Sequence, residues 1–321
     1  MKLLAAIAAA SVFAAPTAWA QPYPSKPIQI VAASAPGAGV DLLTRTVQDR
    51  FAALLGQPVV VENRAGAAGF IGSDYVKKAP ADGYTLLTVG EDIALWRALG
   101  IHQGINVLTD FAPVALLGTV DFFLVVSGEA MKASTPQELV ALAKQKPNAF
   151  SFASPGTGAP HHLAMELFKS ETGTELVHVP YKGMGPAMPD FVAGRVQVVM
   201  TGYPAIAPYA ATGKIRILGA AWPERSKLQP NIPTLKEQGI ANVETQGYFP
   251  MLAPAGTPAA VVTRLNTELN KVLATPQIRE DLARRAVTAA GGTPEQLSQK
   301  LRTEIDKWTA VVKRAGVKAE E

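Results

Sequence analysis

The run Pro113-Val114-Ala115-Leu116-Leu117-Gly118-Thr119-Val120-Asp121-Phe122-Phe123-Leu124-Val125-Val126 decides the architecture. Two apolar pieces, 113–117 and 122–126, flank the break Gly118-Thr119-Val120-Asp121. A strand that leaves one lobe and enters a second has this pattern. Before it, Ile28–Ala32, Val59-Val60-Val61-Glu62 and Tyr84–Val89 are short β-like runs. Between the first two, Val40, Leu43, Val47, Phe51 and Leu54 recur at threes and fours, and Gly56 supplies a helix stop. Gly66–Gly72 reads as a Gly-rich helix start. Strand and helix alternate, the rhythm of a parallel α/β sheet.

After the run the alternation resumes. Thr135-Pro136-Gln137-Glu138 opens a helix, with Thr at the N-cap, Pro at N1 and Glu at N3. Phe150–Ala153, Glu175–Val179, Val196–Thr201 and Ile215–Ala221 read as strands. Pro160–Lys169 and Pro186–Val192 read as helices stopped near Gly173 and at Gly194. A return crossing is expected near Val243–Leu252, since three Thr-Pro helix starts follow it, at 257–258, 275–276 and 293–294. A late helical tail needs two crossings. Residues 21–117 plus 248–321 are therefore assigned to lobe 1 and 118–247 to lobe 2, in an α/β protein of two sheets flanked by helices and joined by two crossover strands.

The chain has 321 residues, 48% hydrophobic and 17% charged, which suits a folded two-domain protein. The formal net charge is +4 with scattered Lys and Arg, which argues against a nucleic-acid footprint. Lys2, the apolar stretch Leu3–Ala15 and Ala18-Trp19-Ala20 form a signal-peptide pattern over residues 1–20, with cleavage expected before Gln21. Export to the periplasm as a soluble protein follows. The absence of cysteine excludes disulfides, thiolate nucleophiles, Cys-bound metals and a lipidated cysteine anchor.

Two glycine-rich joints between strand and helix carry the candidate chemistry. One is Ser34-Ala35-Pro36-Gly37-Ala38-Gly39 with Asp41; the other is Ser154-Pro155-Gly156-Thr157-Gly158-Ala159-Pro160, before His161 and His162. Free N–H groups at a helix start carry partial positive charge, and glycine lets a ligand approach the main chain. Such a joint is either an anion cradle or an ordinary tight turn. Gly37-Ala38-Gly39 lacks the spacing of a dinucleotide loop. A third joint, Tyr181-Lys182-Gly183-Met184-Gly185, offers Lys182 either as a charge for an acidic ligand or as a solvated lysine. No cofactor or metal is expected: adjacent histidines are not a metal pair, and H-E-x-x-H and G-x-S-x-G do not occur. Ser154 with His162 leaves a serine hydrolase as a rival reading, although a serine at a helix start usually caps.

Further marks recur along the chain in order: Pro36-Gly37 with Asp41 and Arg45; Val61-Glu62-Asn63-Arg64 with Gly66-Ala67; Asp82-Gly83-Tyr84-Thr85; and Asp110-Phe111-Ala112-Pro113-Val114. Ser154–Gly158 with His162-Leu163, His178-Val179-Pro180-Tyr181-Lys182-Gly183, Pro233-Thr234-Leu235 and Leu252–Pro258 complete the series. In this order they resemble the Bug (TctC-like) substrate-binding proteins of tripartite tricarboxylate transporters, over about Tyr23 to Gly316. The resemblance implies a hinge-closing periplasmic-binding-protein fold, with Ala33–Gly39 and Ser154–Pro160 as pincers on a ligand carboxylate held by main-chain amides and ordered waters. It also implies delivery to integral-membrane transporter subunits driven by an ion gradient, or alternatively presentation to a sensor kinase. A monomer is expected.

Ser34 and Ala38 depart from the family, which usually has an aromatic and a glycine there. Gly90-Glu91-Asp92 stands where small neutral residues are common. Either Glu91 and Asp92 make the far end of the pocket acidic, favouring a ligand with an amino or other cationic group, or both face solvent. Ser34, Asp92, Thr157, Tyr181 and Tyr203 are expected to tune specificity, with Thr201 at the end of its strand beside them.

Overall fold

The two apolar pieces of the run belong to one strand of 17 residues, Phe111–Ser127. Gly118 marks a close approach within it: a Cβ there would stand 2.6 Å from Val287 Cγ1 and 3.0 Å from the Thr288 carbonyl. The small residue admits a neighbouring strand.

The computed structural model describes residues 23–318. The signal-peptide reading of residues 1–20 lies outside them. In chain order the first elements are β1 (Ile28–Ala32), α1 (Gly39–Leu55), β2 (Val59–Asn63), a 3₁₀ turn (Ala67–Gly69), α2 (Phe70–Lys77), β3 (Thr85–Thr88), α3 (Asp92–Leu99) and α4 (Val107–Asp110). The long strand is β4 (Phe111–Ser127), followed by α5 (Pro136–Gln145), β5 (Ser151–Ser154), α6 (Pro160–Thr172), β6 (Val177–Pro180), α7 (Met184–Val192), β7 (Val198–Gly202), α8 (Tyr203–Ala210) and β8 (Ile215–Ala220). The chain ends with β9 (Gln246–Pro254), α9 (Ala259–Ala274), α10 (Pro276–Ala283), β10 (Thr288–Gly291) and α11 (Pro294–Ala315).

The sheet order is β2-β1-β3-β9-β4-β7-β5-β6, with β10 and β8 also paired to β4. One half, β2, β1, β3, β9 and β10, uses β4 up to Asp121; the other, β7, β5, β6 and β8, uses it from Phe122 onward. Apolar side chains fill both faces of each half. Phe51 and Leu269 lie buried on one face of the first half, Leu87 and Tyr248 on the other. Phe152 and Phe191 are buried on opposite faces of the second half. Each fully buried large side chain of this kind contributes about 1.5–3 kcal/mol. A further cluster joins the halves: Leu95 of α3 and Trp308, Val311 and Val312 of α11 pack on Leu163 and Leu167 of α6.

The cap signals have mixed outcomes. Thr135 Oγ accepts the Glu138 N–H at 3.2 Å, and Glu138 accepts the Ser134 N–H at 2.7 Å. Thr293 and Gln296 form a full capping box. Thr257 and Thr275 instead donate backwards to the carbonyls of Pro254 and Lys271, so neither hydroxyl caps the helix that follows. The helices α3, α4 and α8 and the strand β10 occupy segments with no element expected there, β10 being a short strand within the mainly helical tail.

Candidate functional site

Strand directions bring the loops together. β1 pairs in parallel with β2 and β3, and β4 runs in their direction because it is antiparallel to β9, which is antiparallel to β3. β4 therefore leaves the first half past the carboxyl ends of those strands. It enters the second half at the carboxyl end of β7, where Phe122 faces Gly202, and β7 is parallel to β5. The strand-to-helix loops of both halves thus open onto one cleft, floored by residues 118–122 of β4 and 246–249 of β9. A ligand crevice at the carboxyl ends of parallel strands is the general α/β arrangement.

Helices α1 and α3 start on one side of this cleft, and α6, α7 and α8 on the other. None of the five has a side-chain hydrogen bond at its N-cap. The first N–H groups of α1, α6, α7 and α8 are open to an anion, whereas at α3 the Ile93 and Ala94 N–H groups donate to the Gly90 and Glu91 carbonyls.

The first loop, Ser34–Gly39, is largely exposed, and a Cβ on Gly39 would touch the Phe249 ring at 3.9 Å. Asp41 holds it from below. Its carboxylate is 2% exposed and accepts from the Gly37 N–H, Arg45 Nε and Asn63 Nδ2, each at 2.8 Å. Burial alone would raise its pKa, but these three donors overcome burial and hold the carboxyl below its ordinary range. Asp41 therefore shapes the loop, with both oxygens occupied by the protein. Ser34 donates only to the adjacent Ala35 carbonyl, at 3.4 Å.

The second loop is braced by two histidines. Ser154 is fully buried and its Oγ lies 2.7 Å from His178 Nε2, while His162 Nδ1 accepts the Gly158 N–H at 3.0 Å. The pairing that a hydrolase would need, Ser154 with His162, is absent: Ser154 is shut away from solvent and bonded to a different histidine. His162, 5% exposed, likewise faces the loop's own backbone. Gly156 and Thr157 remain partly exposed at the tip.

Tyr181 donates to Asp190 at 2.9 Å, Lys182 is exposed, and Thr201 is buried at the end of β7 with the partly exposed Tyr203 opening α8. Across the cleft, a cavity of about 710 Å³ runs between α3 and the second loop, walled by Asp92, Trp96 and Leu99 on one side and Pro155–Ala159 on the other. No Lys or Arg lines it, and the first loop is not part of its wall. Asp92 and Glu91 are partly buried rather than splayed into solvent. Burial, and for Glu91 also the neighbouring Asp92, push both carboxyls upward; the Tyr248 N–H partly offsets this at Glu91. Among the described residues no group of His, Asp and Glu is placed to hold a metal, and no helix is long and apolar enough to cross a membrane.

A family model described as the tripartite tricarboxylate transporter family receptor matches residues 43–317. The chain belongs to this family. It is 35% identical to Protein BugT of Bordetella pertussis over 322 residues, 99% of this chain and 98% of that one. Among solved structures it resembles Rhodopseudomonas palustris Rpa4515 with adipate, at 32% identity and a TM-score of 0.78, covering 93% of this chain and 100% of that one. It also resembles MatC of the same organism with bound malate, at 26% identity and a TM-score of 0.74, covering 90% and 100%. The chain is a solute-binding receptor, like its relatives, and not an enzyme.

Several residues that build this receptor's cleft were not singled out as site residues by the sequence. Asn63 and Arg45 clamp Asp41, His178 clamps Ser154, and Leu99 and Trp96 form the cavity wall. The spacing Asp41–Arg45 is that of a helical i,i+4 ion pair and could have flagged that contact. The His178–Ser154 bond joins residues on neighbouring strands, which only the sheet register reveals.

Proposed function

We propose that this receptor captures a small carboxylate in the cleft and hands it to integral-membrane transporter subunits. The carrying observation is the meeting of uncapped helix starts from both halves of the sheet on one cleft. The Gly37, Gly156 and Gly158 N–H groups are taken by Asp41, Ser154 and His162, so the Thr157 N–H, the remaining N–H groups of the first loop and the uncapped starts of α1 and α6 would face the carboxylate, with Tyr181, Lys182 and Tyr203 at the rim. Relatives solved with adipate and malate support that ligand class. Asp92, with Glu91 behind it, would meet the far end of the ligand in a cavity that no Lys or Arg lines. A ligand carrying an ammonium beyond its carboxylate fits that charge better than a plain dicarboxylate. The lobes divide near residues 117–118 and 247–248, and the working protein is a periplasmic monomer released by cleavage before Gln21.

Thermal unfolding against mono-, di- and tricarboxylates, aromatic acids and amino acids tests this. A ligand at a hundred times its Kd adds about 2.7 kcal/mol, a rise of roughly 4 °C in a chain of this size. A shift with one carboxylate class supports the reading. No shift with any carboxylate, after refolding to remove carried-over ligand, overturns it.

A further inference from the structure

The second glycine loop owes its shape to two imidazoles for which the binding reading has no use. His178 on β6 lies beside Phe152 on β5, the two residues being paired in register, with ring centroids 4.9 Å apart. His162, in the first turn of α6, lies on His178 face to face, at 3.7 Å between centroids and 9° between planes.

Hydrogen-bond valence fixes where the protons sit. Because His162 Nδ1 accepts the Gly158 N–H at 3.0 Å, its proton is on Nε2, 3.6 Å from Glu166 Oε1. Ser154 Oγ accepts the Gly156 N–H at 3.2 Å and donates to the Gly156 carbonyl at 2.9 Å. With its single hydrogen on the Gly156 carbonyl, the hydroxyl accepts from His178 Nε2 across the 2.7 Å contact, which puts that ring's proton on Nε2 as well. In this arrangement His162 holds the Gly158 N–H directly, and His178 holds the Ser154 hydroxyl that engages Gly156.

We propose that His162 and His178 are positioning residues, a neutral imidazole pair that keeps the 154–158 loop in its ligand-accepting shape and lets it go when His162 takes up a proton. The free lone pair of His162 is on Nδ1, where the Gly158 N–H already points. A proton added there sets two donors against each other and ejects the Gly158 amide. Two charges on rings 3.7 Å apart would also repel, so the pair accepts at most one proton. Burial first, and the neighbouring His162 second, push His178 down to about 4, which keeps that ring neutral. The charged groups facing the pair are Glu166 and Lys169, both on α6 and paired to each other at 2.8 Å. Glu166 favours the charged imidazole and Lys169 opposes it. For a ligand held by this loop, affinity would fall as the medium acidifies; that consequence rests on the binding reading, whereas the following test needs no ligand.

Long-range ¹H–¹⁵N spectra of the imidazoles and the exchange rate of the Gly158 amide are followed from pH 8 to pH 5 in the purified, ligand-free protein. Both rings are expected as Nε2–H tautomers at pH 8, and Gly158 protection is expected to vanish with the midpoint of the His162 titration. His162→Asn, whose side-chain oxygen can take the place of Nδ1, keeps Gly158 protected throughout. In His162→Leu the same amide exchanges roughly tenfold faster already at pH 8, as expected for one lost hydrogen bond. An Nδ1–H tautomer at His162, a Gly158 amide indifferent to His162→Leu, or loss of protection at an unrelated midpoint overturns the proposal. Should His162→Leu not fold, the wild-type tautomer and the flat profile of His162→Asn still decide it.

Discussion

Gly158 and Leu99 meet across the cleft: a Cβ on Gly158 would stand 3.1 Å from Leu99 Cδ1. Gly158 also has φ +79°, a left-handed backbone that costs other residues about 1 kcal/mol. Gly158→Ala is therefore expected to lower stability by about 1 kcal/mol in urea and to weaken ligand binding by wedging the loop off α3. Gly185→Ala, with nothing within 4 Å of the new Cβ, should leave binding unchanged. Calorimetric titration of both variants checks the contrast.

Asp41→Asn removes the charge that binds Gly37, Arg45 and Asn63, and is expected to cost about 2 kcal/mol of unfolding free energy at pH 7. The folded pKa is depressed, so the carboxylate's contribution is present above its ordinary 3.8 and is lost as pH falls through the folded value. The gap between wild type and variant should therefore narrow below about pH 4. A gap unchanged at pH 3 would show that Asp41 acts through packing alone.

Glu91 has the opposite sign. Its carboxyl is pushed from 4.5 up to about 8, so the folded protein holds a proton that the unfolded chain releases across that interval. The stabilising contribution is complete below pH 4.5 and is lost as pH rises through about 8. Glu91→Gln should gain on wild type with rising pH, by on the order of 1–3 kcal/mol between pH 5 and pH 8. Parallel stability curves for the two proteins would contradict this.

His161 stands apart from the loop network, packed 4.8 Å from the Phe122 ring with its Nδ1 unpartnered. Burial lowers it from 6.5 to about 4, so the unfolded chain takes up a proton first and stability is lost as pH falls from 6.5 through about 4. His161→Phe should keep the packing and raise the thermal midpoint at pH 5 relative to wild type more than at pH 7.5.

Thr293→Ala breaks the capping box of α11 and is expected to cost about 1 kcal/mol. Thr275→Ala, at the same kind of Thr-Pro step but without a forward cap, should cost less. Urea midpoints of the pair separate the two uses of the hydroxyl.

That contrast also marks what was legible beforehand. Thr257, Thr275 and Thr293 look alike in the sequence, yet only Thr293 caps, because only it has an N3 glutamine to answer it. The run 113–126 was readable as a strand crossing between lobes because both pieces had strand composition, but that the glycine in its middle admits β10 was not. The glycine loops were visible as strand-to-helix joints, whereas their braces were not. Asn63 reaches Asp41 over 22 residues and His178 reaches Ser154 over 24, distances that local spacing does not bridge. Glu91 and Asp92 could be placed on either side of the surface until α3 was seen to turn them inward.

The crossing itself has a mechanical consequence. β4 and β9 stay paired up to Asp121 and Gln246, whose side chains are also joined at 2.7 Å. The connection is thus a ribbon rather than two independent tethers. A paired ribbon bends readily across its face, but shear within its plane would break ladder hydrogen bonds. Opening and shutting, expected of a two-lobed receptor, would then follow a single soft coordinate, and the two glycine loops would return to the same mutual alignment on every cycle without searching for it.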